Sequence, residues 1–181
     1  MELSDNHLFS HDHLFRHDVL DFVSTATQFC IQVEQCEGSE RGEFTQVMQQ
    51  LLPVLYYRAA SLEEIEEYYG YVQDIVTEQD YDFVRLNMAM ILREDDDFLD
   101  VYHPDSKYAD SPVVSTISEC LADCYQSLRN MVETFRQENE EAMQVSLYEC
   151  LQDFRSNWGM RLLGALTAIH QVIAAGGVDE L

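Results

Sequence analysis

Proline and glycine are scarce in this chain, with three of the first and seven of the second in 181 residues. A fold of many short strands joined by tight turns consumes both, so helices are favoured over that class. Lysine is almost missing: Lys107 is the only one. Ten basic residues stand against 34 acidic ones, for a formal charge of -24. Such a surface repels phosphate backbones, which excludes nucleic-acid binding through a basic footprint. Anionic membranes are disfavoured for the same reason. No CxxC occurs, and the five cysteines (Cys30, Cys36, Cys120, Cys124 and Cys150) are odd in number. Three of them fall on apolar helix faces, the pattern of free thiols in a reducing compartment. The opening "MELSDNHLFSHDHLF" has no basic region followed by an apolar run, so no secretory leader is expected. The most apolar stretch, Trp158 to Gly176, holds Arg161, His170 and Gln171 and fits a buried helix better than a bilayer span. A soluble, cytoplasmic protein is expected.

What the chain does have is helical periodicity. Hydrophobic residues make up 46% of it, enough for a core in one domain of this length. Val19, Phe22, Val23, Ala26, Phe29, Cys30 and Val33 make one stripe and predict a helix over about Asp18 to Gln35. A second helix starts near Glu43, and Pro53 predicts a kink or short break inside it. Ser61 with Glu64 reads as a capping box for a helix through Tyr69, and Thr77 with Asp80 as another for a helix to about Arg93. "EDDDFLDVYHPDSKYADSP" reads as a long acidic loop. Ser111 and Pro112 read as the cap and first position of a helix to about Gln137. Asn139 or Glu138 starts the last helix, which Gly159 and Gly164 bend or open to close packing. The fold class is all-α: a single-domain antiparallel helical bundle of about five to seven helices. Residues 1–16 form a flexible, histidine-rich N-terminal arm, 17–176 the helical domain and 177–181 a frayed tail.

Several groups of side chains are candidates for chemistry. Glu94, Asp95, Asp96, Asp97 and Asp100 crowd carboxylates that a hard cation wants, but without the glycine and glutamate of an EF-hand loop. His7 and His11, and His13 and His17, sit four apart, where a helix could bring either pair to one metal. In "SECLADCYQSL", Glu119 and Asp123 resemble two of the three acids in the helix of all-α nucleotide pyrophosphohydrolases of the MazG-like group. The resemblance implies magnesium held by that helix and an earlier ExxE, which occurs twice, as Glu63/Glu66 and Glu64/Glu67; Glu63 and Glu67 are the ligands expected from it. The middle acid is absent. On a helical wheel Glu119 and Asp123 lie about 160° and 120° from the apolar stripe and point to solvent unless another helix covers them. "EEIEEYYGY" mixes acids with tyrosines, a surface suited to an arginine-rich peptide.

"DVLDFVSTATQFC", "LLPVLYYRA", "VTEQDYDFVRLNMAMIL", "DDFLDVYHPDSKYADSPVVSTISECLADCYQSL" and "NWGMRLLGALTAIH" resemble a bacterial family known as a domain of unknown function, number five-zero-six-three of its series. The resemblance spans about Asp18 to His170. It implies a compact, acidic helical protein and brings no activity and no catalytic residues. Within it, His103, Asp105, Tyr108 and Asp110, near Trp158, are the densest polar group beside a helix junction and the expected binding site.

The functional expectation is a non-enzymatic interaction module without a cofactor. Its partner is a basic protein or peptide, or itself as a homodimer. The alternative is a magnesium-dependent enzyme on Glu63, Glu67, Glu119 and Asp123.

Overall fold

The computed structural model describes residues 13–62, 68–108 and 110–179. The first helix, α1 (His17–Glu34), buries the expected stripe from Val19 to Val33, with Val23 half-buried at its margin. Next, α2 (Arg41–Ser61) runs unbroken through Pro53. The expected break is not there: Pro53 is exposed, so the carbonyl it leaves without a donor can turn to water. Ser61 ends this helix, and Leu62 caps it through its N–H to the Ala59 carbonyl. Glu63, Glu64 and Glu67 lie outside the described residues. From Tyr68 to Thr77 the chain has no regular structure.

Thr77 and Asp80 do form a capping box. The Thr77 hydroxyl accepts from the Asp80 N–H, and the Asp80 carboxylate accepts from the Thr77 N–H. They open α3 (Glu78–Leu92). A 3-10 turn (Arg93–Asp95) then leads into a strand, β1 (Asp97–Asp100).

The stretch read as one long loop therefore contains a β ribbon. β1 pairs antiparallel with β2 (Val113–Thr116), with Asp97 opposite Thr116 and Asp100 opposite Val113. A second 3-10 turn (Pro104–Lys107) lies between them. Ser111 and Pro112 do not begin a helix: α4 spans Ile117–Arg136. Asp96 explains the displacement. Its main-chain carbonyl accepts from the Ile117 N–H at 2.8 Å. Its carboxylate accepts from the Ser118 N–H at 2.8 Å and the Ser118 hydroxyl at 2.7 Å. Thr116 adds a bond from the Glu119 N–H. Two residues thus satisfy donors that no helix can satisfy for itself.

Asn139 caps α5 (Glu140–Asp153) by accepting from the Ala142 N–H. The chain continues through a π turn (Phe154–Trp158) into α6 (Gly159–Asp179). The described residues thus hold six α-helices, the last two joined into one continuous rod. α4 is the hub: it packs against α1, α3, α5 and α6, while α2 packs against α1 and α6. No helix among the described residues is long and apolar enough to cross a membrane.

Candidate functional site

Asp123 lies on α4 between two helices that cover it. The Tyr81 hydroxyl on α3 donates to its Oδ1 at 2.9 Å. The Arg161 Nε on α6 stands 3.3 Å from its Oδ2. Burial pushes the Asp123 carboxyl above its ordinary value, and Tyr81 and Arg161 oppose that rise. The carboxylate in turn pushes the Tyr81 phenol upward, after burial as the first cause. Arg161 also touches the thiol of Cys120, which burial raises to about 12. The result is a locked Tyr–Asp–Arg group at the meeting of α3, α4 and α6.

Two concavities flank it. A polar cleft of about 300 Å³ lies between α4, α5 and the segment before α3, with Asp74, Asp123, Glu149 and Asp153 in its wall. Asn130 holds that segment in place. Its carbonyl accepts from the Ile75 and Val76 N–H groups, both at 2.9 Å, and its amide donates to Asp74. Glu149 is raised by burial first and by Asp74 second. On the other side, a groove of about 390 Å³ runs between the β1 end and the start of α6. Leu99, Val101, Tyr102, His103, Met160 and Arg161 are among its walls. Asn157 lines both concavities.

The ribbon wall of the groove is anchored by Phe98. Its ring edge would stand 3.4 Å from a Cβ on Gly164, so the glycine lets the ribbon lie close to α6. The other wall depends on the π turn. Trp158 is fully buried, donates to the Cys150 carbonyl at 2.9 Å, and stacks at a tilt on Phe154. A π turn carries one residue more than an α turn and brings Gly159 onto Phe154: a Cβ there would sit 2.5 Å from the Phe154 carbonyl oxygen. This accounts for the glycine of "NWG".

The expected binding residues are thus only partly together. His103 and Asp105 meet: His103 Nδ1 accepts from the Asp105 N–H at 3.2 Å and lies 3.7 Å from its carboxylate. His103 lines the groove. Tyr108 and Asp110 are exposed and line none of its walls. Trp158 sits beneath the groove in the core, so its neighbours Asn157 and Met160 face the cavity while the indole does not. Sequence reasoning missed Arg161, Tyr81 and Asn157. Arg161 carried a signal, as the one charged side chain in an apolar run: it predicts a buried partner.

Of the magnesium set only Glu119 and Asp123 fall among the described residues. Glu119 is exposed, whereas Asp123 faces Tyr81 and Arg161 instead of solvent, so the two do not share an open face. Glu63 and Glu67 lie outside the described residues. The acidic stretch is divided among other tasks: Asp95 pairs with Arg41, Asp96 caps α4, and Asp100 accepts from the Tyr102 N–H. Among the described residues no three His, Cys, Asp or Glu side chains are grouped to hold one ion. His7 and His11 are outside that range.

These features define a helical protein built on a central α4, with a β ribbon folded against a π-turned helix. The chain belongs to the family described as Domain of unknown function (DUF5063), whose model matches residues 14–175. It is also similar to a solved structure, the crystal structure of protein BF1032 from Bacteroides fragilis. The two are 33% identical with a TM-score of 0.79, over 88% of this chain and 94% of that one. A search of curated proteins gives no match.

Proposed function

We propose that the chain is a non-enzymatic interaction module and that the groove between the β ribbon and α6 is its docking face. The occupant is a basic peptide segment with an apolar anchor. One observation carries this reading: large apolar side chains stand open around a single concavity. Leu99 and Val101 are 63% exposed, Tyr102 80% and Met160 52%. One exposed hydrophobe is ordinary, but a group of them around a groove marks a contact surface. Val114, opposite Leu99 in the ribbon, is exposed as well. Charge selects the partner. Asp97 and Asp105 are exposed on the same ribbon and loop, in a chain of charge -24. Arginine or lysine beside an apolar anchor complements both features. No third strand pairs with the ribbon among the described residues, so an extended segment can add to its edge.

The test is a phage-displayed peptide selection on the immobilised chain, followed by fluorescence polarisation of the enriched peptides. Basic peptides with an aromatic or aliphatic anchor are expected. Their affinity should fall by about tenfold or more in a Leu99→Asp/Met160→Asp variant, and should weaken with salt. Circular dichroism checks that the variant is folded. Enriched peptides without basic residues, or binding that the variant leaves intact, would refute the assignment. A dimer that the same variant dissolves would give the face to a second copy instead.

A further inference from the structure

Among the described residues, side-chain caps use oxygen acceptors with one exception. Thr77, Thr116 and Asn139 each accept from a first-turn N–H through a hydroxyl or amide oxygen. The 3-10 turn Pro104–Lys107 is capped by a histidine instead. His103 Nδ1 accepts from the Asp105 N–H at 3.2 Å. A ring nitrogen accepts only while it carries no proton, so this bond requires the neutral tautomer with its hydrogen on Nε2. A hydroxyl or amide oxygen caps at any ordinary pH, whereas an imidazole caps only while neutral.

The turn that His103 caps is tied to the wall of the groove. The Ser106 hydroxyl donates to the Asp100 carbonyl at 3.0 Å and so fastens the turn to the end of β1. The Ser106 N–H closes on the His103 carbonyl at 2.9 Å. Leu99, Val101, Tyr102 and His103 stand along this fastened chain, and all of them line the groove. The charged side chains that share the groove with the ring are Asp100 of β1 and Arg161 of α6. Both are engaged elsewhere. Asp100 accepts from the Tyr102 N–H and the Ser115 hydroxyl, and Arg161 pairs with Asp123. The acid within reach of the ring is Asp105 of the turn itself, its carboxylate 3.7 Å from Nδ1. The Asp105 side chain is 79% exposed and that of His103 only 17%, so the carboxylate stands in solvent while the ring is set into the wall.

A proton on Nδ1 sets donor against donor. The Asp105 N–H loses its acceptor, and the new ring hydrogen turns to the Asp105 carboxylate. An ion pair so exposed offsets little of the lost cap. A positive charge also enters a groove whose ligand is itself basic. We propose that His103 is a pH-sensitive latch on the groove: neutral, it holds the ribbon-side wall in place for the ligand, and protonated, it frees the turn and repels the ligand. The latch rests on the docking role of the groove. Both of its effects have the same sign, so the groove binds at neutral pH and lets go as the pH falls.

The test has two independent parts. Long-range ¹H–¹⁵N spectra of the free chain follow the His103 ring, and backbone spectra follow residues 99–108. Both run from about pH 8 to about pH 5, the range over which imidazoles change charge. At the upper end Nδ1 is expected to be the bare nitrogen, and the Asp105 and Ser106 amides should shift in step with the ring. A proton on Nδ1 there, or amides that ignore the ring, would overturn the latch whether or not a peptide binds. The second part measures a basic peptide selected on the groove, by fluorescence polarisation at both ends of the range. Its affinity should be about fivefold or more weaker at the acid end. His103→Asn places a cap oxygen that does not titrate at the same position. Whatever its affinity at the upper end, its ratio between the two pH values should fall to about one. A ratio as large as that of the wild type would refute the latch. Failure to select any peptide would sink the docking role, while the ring and amide spectra would still decide whether His103 switches the turn.

Discussion

Asp96 caps a helix to which it does not belong. From the end of the ribbon it binds both the backbone and the hydroxyl of Ser118, where the dipole of α4 favours a negative charge. Asp96→Ala leaves those two donors buried and unsatisfied. It should cost about 2 kcal/mol, read from the midpoint of urea unfolding, with Asp96→Asn falling between the two. Glu149 makes a different prediction. Burial and Asp74 raise its pKa above the usual 4.5, so the folded state holds this proton more tightly than the unfolded one. The charged form is therefore a burden at neutral pH, relieved as pH falls through the folded pKa and fully relieved below the unfolded value. Glu149→Gln should be more stable than the wild type at pH 7, and the difference should shrink as the pH is lowered towards 4.5. Thermal melts of both proteins across that range would check the sign. At this scale the sequence was legible where partners are local. Thr77 and Asp80 are three residues apart and read correctly as a cap. Asp96 and Ser118 are 22 apart, so five crowded acids looked like a cation loop when one of them was a cap.

Among the elements, the π turn shapes one wall of the groove. Gly159→Ala would drive a methyl group against the Phe154 carbonyl at 2.5 Å. The turn must then open or the helix must shift. We expect a loss of about 1–3 kcal/mol in calorimetry, together with weaker peptide binding at the groove. The helices themselves were legible, because an apolar stripe at helical spacing survives in any tertiary setting. The ribbon was not. "DFLD" and "VVST" are four residues each and acidic or mixed, too short to show an alternating period. Their pairing is a long-range fact, and Ser111–Pro112 supplied a stronger local signal for a helix. Of the residues expected at the binding site, only His103 lines the groove proposed as the docking face. A polar loop marks itself in sequence, while Leu99 and Met160 look like core residues until the fold leaves them outside.

Over the whole molecule, unbalanced charge works against compactness. With -24 spread over one small chain, self-repulsion favours expanded states. Raising sodium chloride to about 1 M shortens the screening length to about 3 Å, so the melting temperature should rise. A flat response in differential scanning fluorimetry would mean that local ion pairs such as Arg129 with Glu34 and Glu133 already absorb the repulsion. The five cysteines give the molecule another property. All are free and buried, and burial raises the pKa of each, Cys150 to about 12. A thiol so placed is neither accessible nor ionised, so a chromogenic disulfide reagent should react with the intact protein only as fast as the fold opens. The chain thus carries its own clock, and the colour released per minute would report how often each part of the core breathes.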